Sequence, residues 1–309
     1  IAKVSLPGGC AIGSRPVDLH LYALKKLGAK IKIKSGYIYA SAKEGLKGCK
    51  IKFPRVSVGA TENAILAAAQ ADGQSIISNC AIEPEVIDLI SFLRKTGSRI
   101  FLKGRTVTLS GNLKPSTTSY QIMFDRIEAG TYLIASGLVA KKITVAKVNP
   151  KIIKTELKIL KKMGVKMKIK KNSIIVYNSP DIKKTNISTA PYPGFPTDLQ
   201  AQIMVLMTKA KGKSKIKENI FENRFMHVSE LKRMGAKIEV SNNTATVEGP
   251  TMLSGAEVMA TDLRASVCLV LAALVSENRT IINRVYHLDR GYENLEAKLN
   301  NCKANIKRV

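Results

Sequence analysis

The chain of 309 residues predicts an α/β fold made of α+β repeats. The repeats are β-α-β-α-β-β units with buried helices and outer sheets, set in two domains. Three observations predict this. A glycine recurs behind a helical segment with a period of about 70 residues. Two short alternating segments follow each glycine. A second, strongly apolar helix lies earlier in each unit.

The glycines stand at Gly28, Gly97, Gly164 and Gly235. They close Leu24-Lys25-Lys26-Leu27-Gly28, Leu93-Arg94-Lys95-Thr96-Gly97, Leu160-Lys161-Lys162-Met163-Gly164 and Leu231-Lys232-Arg233-Met234-Gly235. Each suits a helix C-cap, where a left-handed residue is needed. Ahead of Gly97, Val86, Ile87, Ile90 and Leu93 keep helical spacing. One further period lands on Lys303, so the helix ending there is expected to be less well capped. Behind Gly164, residues 166–170 and 173–177 alternate in the way of a strand pair with one wet face. The earlier helices are expected over residues 60–71, 128–139, 198–210 and 262–276, and their apolar surfaces imply burial. A short β-like run follows each, such as Lys142-Ile143-Thr144-Val145.

The units divide near Phe124-Asp125, which predicts a first domain over 1–124 and a second over 125–309. Residues 1–43 hold only the later part of a unit, and the last unit ends without a final strand. A further segment of about one hundred residues is therefore expected ahead of Ile1.

Bulk properties exclude several classes. No run of 18 apolar residues predicts a membrane-spanning helix. Five scattered cysteines and three distant histidines form no zinc pattern, and the odd cysteine count favours a reducing cytoplasm. The net charge of +27 invites a nucleic-acid partner. Against it, the lysines are spread over every segment, aromatics make up 5% and tryptophan is absent. Neither a nucleic acid nor a membrane is expected as partner. The charge instead draws small anionic substrates toward the protein.

Val4-Ser5-Leu6-Pro7-Gly8-Gly9-Cys10-Ala11-Ile12-Gly13-Ser14-Arg15 is the stretch richest in chemistry. Glycines let a ligand approach the main chain. A guanidinium near a thiol favours the reactive thiolate and also offers a donor fork to phosphate or carboxylate. Taken alone, the Gly-Gly-Cys is read equally well as a surface turn with an inert cysteine. Asp198, directly before an apolar helix, reads as a helix cap or a first-turn aspartate. Arg264 opens a helix whose free amides favour anions. Asp125, Arg126 and Glu128 read as a salt-bridged helix start in preference to a buried polar link at the domain junction, and His227 and His287 as packed structural residues.

The Cys10 run resembles the active-site loop of the UDP-N-acetylglucosamine enolpyruvyl transferase family. So do Arg55-Val56-Ser57-Val58-Gly59-Ala60-Thr61, Phe195-Pro196-Thr197-Asp198-Leu199-Gln200-Ala201-Gln202, Phe221-Glu222-Asn223-Arg224-Phe225-Met226-His227-Val228, Met259-Ala260-Thr261-Asp262-Leu263-Arg264-Ala265-Ser266 and Tyr286-His287-Leu288-Asp289-Arg290-Gly291-Tyr292-Glu293. They fall in the family's order and spacing from Ile1 to Val309.

The resemblance implies the inside-out α/β barrel of the enolpyruvyl transferases, with the active site between two domains. It implies transfer of the enolpyruvyl group of phosphoenolpyruvate to the 3-hydroxyl of UDP-N-acetylglucosamine, with release of phosphate, as the first committed step of peptidoglycan synthesis. No cofactor and no metal is implied. Cys10 matches the proton donor, which the antibiotic fosfomycin alkylates, and Asp198 the candidate base. Arg15, Arg264 and Arg290 match phosphoenolpyruvate contacts. Arg15, Pro16, Val17, Asp18, Leu19, Arg55, Val56, Ser57, Val58, Asp198 and Ile220 match sugar-nucleotide contacts, with Arg55 standing where the family often has lysine. The family's Lys-Asn pair belongs to the segment expected ahead of Ile1, so a chain without that segment is expected to be impaired. Two other readings stay open: a non-catalytic sugar-nucleotide-binding homologue, and an enzyme like enolpyruvylshikimate-phosphate synthase.

Overall fold

The structure is a computed structural model and describes residues 1–8 and 16–309. The described residues form two compact units, one of residues 1–8 with 16–123, the other Phe124–Val309.

The first unit carries helices α1 (Asp18–Lys26), α2 (Val58–Gln70) and α3 (Pro84–Lys95). Ala2–Ser5, Tyr37–Ser41 and Lys30–Lys34 form an antiparallel sheet in that order. Lys50–Lys52, Gln74–Ser78, Thr106–Ser110 and Ile100–Lys103 form a second sheet. Its first two strands are parallel, as the crossover through α2 requires, and the rest are antiparallel. That is one complete β-α-β-α-β-β repeat. Its core holds Leu19, Ala23 and Leu27 of the α1 segment with Ala60, Ala64, Ile65 and Ala68 of α2.

The second unit carries α4 (Arg126–Val139), α5 (Lys154–Lys162), α6 (Gln200–Thr208), α7 (His227–Arg233), α8 (Leu263–Ala273) and α9 (Leu295–Asn301). The same strand pattern recurs in Ile187–Ser188, Gly212–Lys217, Thr244–Gly249 and Lys237–Ser241. Lys142–Ala146, Ser173–Tyr177 and Met167–Ile169 form a three-stranded sheet, and two short parallel pairs are each joined across α8, one strand before it and one after. All nine residues of α6 are buried. In α8, Ala265 through Ala272 are buried. Strands such as Ser173–Tyr177 alternate buried with partly exposed positions. The helices α6 and α8 therefore lie inside and the sheets outside, because these helices are apolar on nearly every side while the strands keep one wet face. None of the helices among the described residues is long and apolar enough to cross a membrane.

The periodic glycines end their helices as expected. Gly28, Gly97, Gly164 and Gly235 have φ of +100°, +104°, +90° and +93°. In each, the residue after the glycine bonds back five positions, as Val165 N to Leu160 O at 3.0 Å. At Gly164 a Cβ would also lie 2.7 Å from the Asp181 carbonyl oxygen. The expectation at Lys303 needs correction. Ala304 N donates to Leu299 O at 3.0 Å and Lys303 N to Asn300 O at 2.8 Å, so the cap's hydrogen bonds are complete. What the lysine bears instead is a φ of +71°, a region that side chains with a Cβ disfavour.

The apolar helices differ from their expected limits where caps intervene. Asp125 accepts from the Ile127 and Glu128 amides, so α4 starts at Arg126. Ser57 caps α2 by accepting from Ala60 N. Residues 197–199 form a 3-10 turn ahead of α6.

Candidate active site

Asp198 is the centre of a charged cluster in the second unit. It lies in the turn Thr197–Leu199, and no side chain caps that turn or α6. Of the two readings of Asp198, the helix cap is therefore corrected, and the first-turn aspartate is the one the structure shows. Its carboxylate is taken by two guanidiniums: Arg224 Nη2 donates to Oδ1 at 2.7 Å and Arg264 Nη2 to Oδ2 at 2.8 Å. Charge-assisted bonds of this kind outweigh a bond to a neutral amide. The Arg224 side chain is 5% exposed, that of Arg264 16% and that of Asp198 38%. The arginines are thus fixed in protein while the carboxylate keeps a face to water.

Each arginine has its own local cause. Arg264 sits in the first turn of α8, opened by Asp262, whose Oδ1 accepts from the amides of Arg264 and Ala265. Arg224 follows a loop organised by Glu218. Glu218 Oε1 accepts from the amides of Ile220 and Phe221, and Oε2 from the Thr197 hydroxyl. The Arg224 guanidinium also lies 5.3 Å from the Phe221 ring centre. Burial alone would raise the Asp198 pKa, but Arg264 and Arg224 outweigh it, and Arg126 adds to them. The carboxyl is held below the usual carboxylate range.

Behind Arg264 lies a buried polar network. Its Nη1 is 3.4 Å from the Tyr292 hydroxyl, which is 2.8 Å from Thr131 Oγ1. Gln202 Nε2 donates to Asp198 O at 2.8 Å and to Thr131 Oγ1 at 3.2 Å.

At the start of α4, Asp125 is the cap and Glu128 meets Lys298 at 2.7 Å. Buried Arg126 approaches buried Glu156 at 3.7 Å, so this is more than a surface salt bridge. His227 is buried, and burial pushes its pKa down to about 4, which leaves it neutral.

The first unit joins two of the predicted segments. Arg55 Nη2 donates to Asp18 Oδ2 at 2.7 Å, with both side chains exposed. Pro16 is exposed and Val17 precedes α1. Leu19 points into the core, so any ligand contact it makes runs through its backbone. Ser57 caps α2, and Val56 and Val58 pack partly on the core. Ile220 and Arg290 are exposed in the second unit. Cys10 and Arg15 lie outside the described residues. Among those described, no group of three or more His, Cys, Asp or Glu is placed to hold a metal. Burial raises the thiol pKa of Cys80 to about 11 and raises that of Cys268 further, so both are poor nucleophiles.

With this geometry in place, comparison with known proteins gives the family. The model of EPSP synthase (3-phosphoshikimate 1-carboxyvinyltransferase) matches residues 2–299. The chain belongs to this enolpyruvyl transferase family. A UDP-N-acetylglucosamine 1-carboxyvinyltransferase of Pelagibacter ubique (strain HTCC1062) is 58% identical over 309 residues, covering 100% of this chain and 74% of that one. Another protein of that name, from Xanthobacter autotrophicus, is 52% identical, covering 100% and 72%. Within the family the chain thus sides with the enzymes of that name. The crystal structure of the enolpyruvyl transferase NikO from Streptomyces tendae superposes with a TM-score of 0.88 at 24% identity, covering 99% of this chain and 73% of that one. EPSP synthase from Acinetobacter baumannii gives 0.73 at 17%, covering 97% and 73%. These two establish the enolpyruvyl transferase fold expected from the sequence.

Arg224, Glu218, Thr131, Gln202 and Tyr292 were not singled out by sequence reasoning. Arg224, Gln202 and Tyr292 stand inside motifs that resemble the family, so a signal was present. Nothing in the sequence marks Thr131 or Glu218.

Proposed function

We propose that this enolpyruvyl transferase joins phosphoenolpyruvate to the 3-hydroxyl of UDP-N-acetylglucosamine and releases phosphate, in peptidoglycan synthesis. The observation that supports it best is the Asp198 carboxylate, open to water on one face and gripped by Arg224 and Arg264. A group that must stay ionised to accept a hydroxyl proton gains from adjacent cations, and those cations can also hold a phosphate or carboxylate. The high identity to relatives named for this reaction supports the choice of sugar nucleotide over a shikimate acceptor.

The step balances as follows. The 3-hydroxyl oxygen bonds to C2 of phosphoenolpyruvate, its proton passes to Asp198, and C3 takes a proton from the Cys10 thiol. The tetrahedral adduct then returns a C3 proton to the Cys10 thiolate while the C2–phosphate oxygen bond breaks and the leaving phosphate takes the proton held on Asp198, giving the enol ether and inorganic phosphate. Arg15, Arg264 and Arg290 hold the phosphoenolpyruvate anion. Arg55, paired with Asp18, reads the nucleotide together with residues 16–19 and 56–58, while Ile220 offers an apolar contact. The break between Met123 and Phe124 supports treating the two compact units as two domains. The substrates are small molecules, and the family resemblance supports a cytoplasmic location.

The experiment is phosphate release from phosphoenolpyruvate with each acceptor in turn. Release with UDP-N-acetylglucosamine but not with shikimate 3-phosphate is expected. Release only with shikimate 3-phosphate overturns the assignment. Binding of the UDP-sugar with no release from either acceptor favours the non-catalytic homologue.

A further inference from the structure

The buried network behind Arg264 has a determined hydrogen-bond direction. Tyr292 is 1% exposed. Its oxygen receives Arg264 Nη1 at 3.4 Å and Gln202 Nε2 at 3.4 Å, and lies 2.8 Å from Thr131 Oγ1. Arginine and the amide nitrogen are donors only, so neither can take the phenol proton. The phenol proton must therefore go to Thr131. The Thr131 proton goes on to Ile127 O, 2.9 Å away. The Gln202 amide cannot be reversed, because that would set its carbonyl against Asp198 O, which Nε2 contacts at 2.8 Å. Its own Oε1 is buried with no hydrogen-bond partner among the described residues. A buried polar group without a partner is destabilising, so an amide here needs a reason beyond packing.

The network joins four segments. Thr131 comes from α4, Gln202 from α6, Arg264 from α8, and Tyr292 from the stretch ahead of α9. Gln202 also fixes the backbone of Asp198 itself. We propose that Tyr292 is a positioning residue, whose hydroxyl, oriented by Thr131 and Gln202, fixes the Arg264 guanidinium against the Asp198 carboxylate. The proposal gives the proton acceptor of the proposed function its geometry, and rests on that reading only for its catalytic meaning.

The physical consequence has a definite sign. The charged groups acting on Asp198 are Arg264 from α8, Arg224 from the loop ahead of α7, and Arg126 from α4. Without the phenol oxygen, Arg264 Nη1 faces a ring edge with no acceptor. A buried unpaired donor turns toward water, and the guanidinium turns away from Asp198 with it. Removing the Thr131 hydroxyl acts in the same direction, because the phenol proton then rotates toward the donors it had been receiving. Either change weakens the cation at Asp198, and its carboxyl titrates at higher pH.

The test follows the Asp198 carboxyl carbon by NMR in the full chain labelled with 13C-aspartate, the resonance being assigned with Asp198→Asn. Wild type is compared with Tyr292→Phe, Thr131→Val and Thr131→Ser. The titration midpoint is expected to rise by about one pH unit in the first two and to return in Thr131→Ser, which restores the hydroxyl. A midpoint within about 0.2 pH units of wild type in Thr131→Val overturns the proposal. So does a rise that Thr131→Ser fails to reverse, since that marks a packing effect. If Tyr292→Phe does not fold, the two Thr131 variants decide the matter. No turnover is measured here, so failure of the proposed reaction would show only in phosphate release.

Discussion

Asp198→Asn removes the one carboxylate that Arg224 and Arg264 share. The asparagine keeps an acceptor oxygen for one guanidinium and turns an amide donor toward the other. Arg224, with a side chain 5% exposed, cannot reach water easily, whereas Arg264 keeps Tyr292. Breaking a fully buried pair costs about 3–5 kcal/mol. The Asp198 side chain is 38% exposed and one bond survives as a neutral one, so about 2 kcal/mol is expected here. That is roughly a thirtyfold change in the folded-to-unfolded ratio. The sign with pH follows from the lowered pKa of the folded carboxyl. Such a group stabilises fully above its unfolded value, and the effect is lost as pH falls through the folded value. The gap between wild type and Asp198→Asn should be flat from about pH 5 to pH 8 and shrink below about pH 4. Urea unfolding of both proteins across this range, followed by circular dichroism, measures it. A gap under about 0.5 kcal/mol at pH 7, or one that does not shrink in acid, would refute the argument.

Other outcomes follow from the same structure. Lys303→Gly relieves a left-handed lysine without touching the cap's hydrogen bonds, and should stabilise the second unit by about 0.5–1 kcal/mol in urea unfolding. Arg55→Ala breaks an exposed pair, so stability should move by less than about 0.5 kcal/mol, while calorimetry should show UDP-N-acetylglucosamine binding about tenfold weaker. Fosfomycin with the UDP-sugar should leave a covalent adduct on Cys10 by mass spectrometry, and none on Cys10→Asp.

The architecture was legible because its signals are local. A left-handed C-cap followed by a strand pair repeats every unit, and α6 is apolar on every side. Lys303 shows that the repeat preserves a backbone conformation rather than a residue type. The site was legible only in part. Pro196-Thr197-Asp198 before an apolar helix is what a helix cap looks like, and the competing arginines stand 26 and 66 residues further on. Thr131 and Tyr292 are 161 residues apart, and only the fold brings them to 2.8 Å. Arg126 reads as part of a salt-bridged helix start, but its buried partner Glu156 comes from α5, outside that segment.

Phosphate release from phosphoenolpyruvate with UDP-N-acetylglucosamine, by wild type and by Asp198→Asn, tests the central claim most directly. The account predicts release by wild type and a loss of about 100- to 10,000-fold in the variant, the span of general-base catalysis. Equal release by both proteins would contradict it.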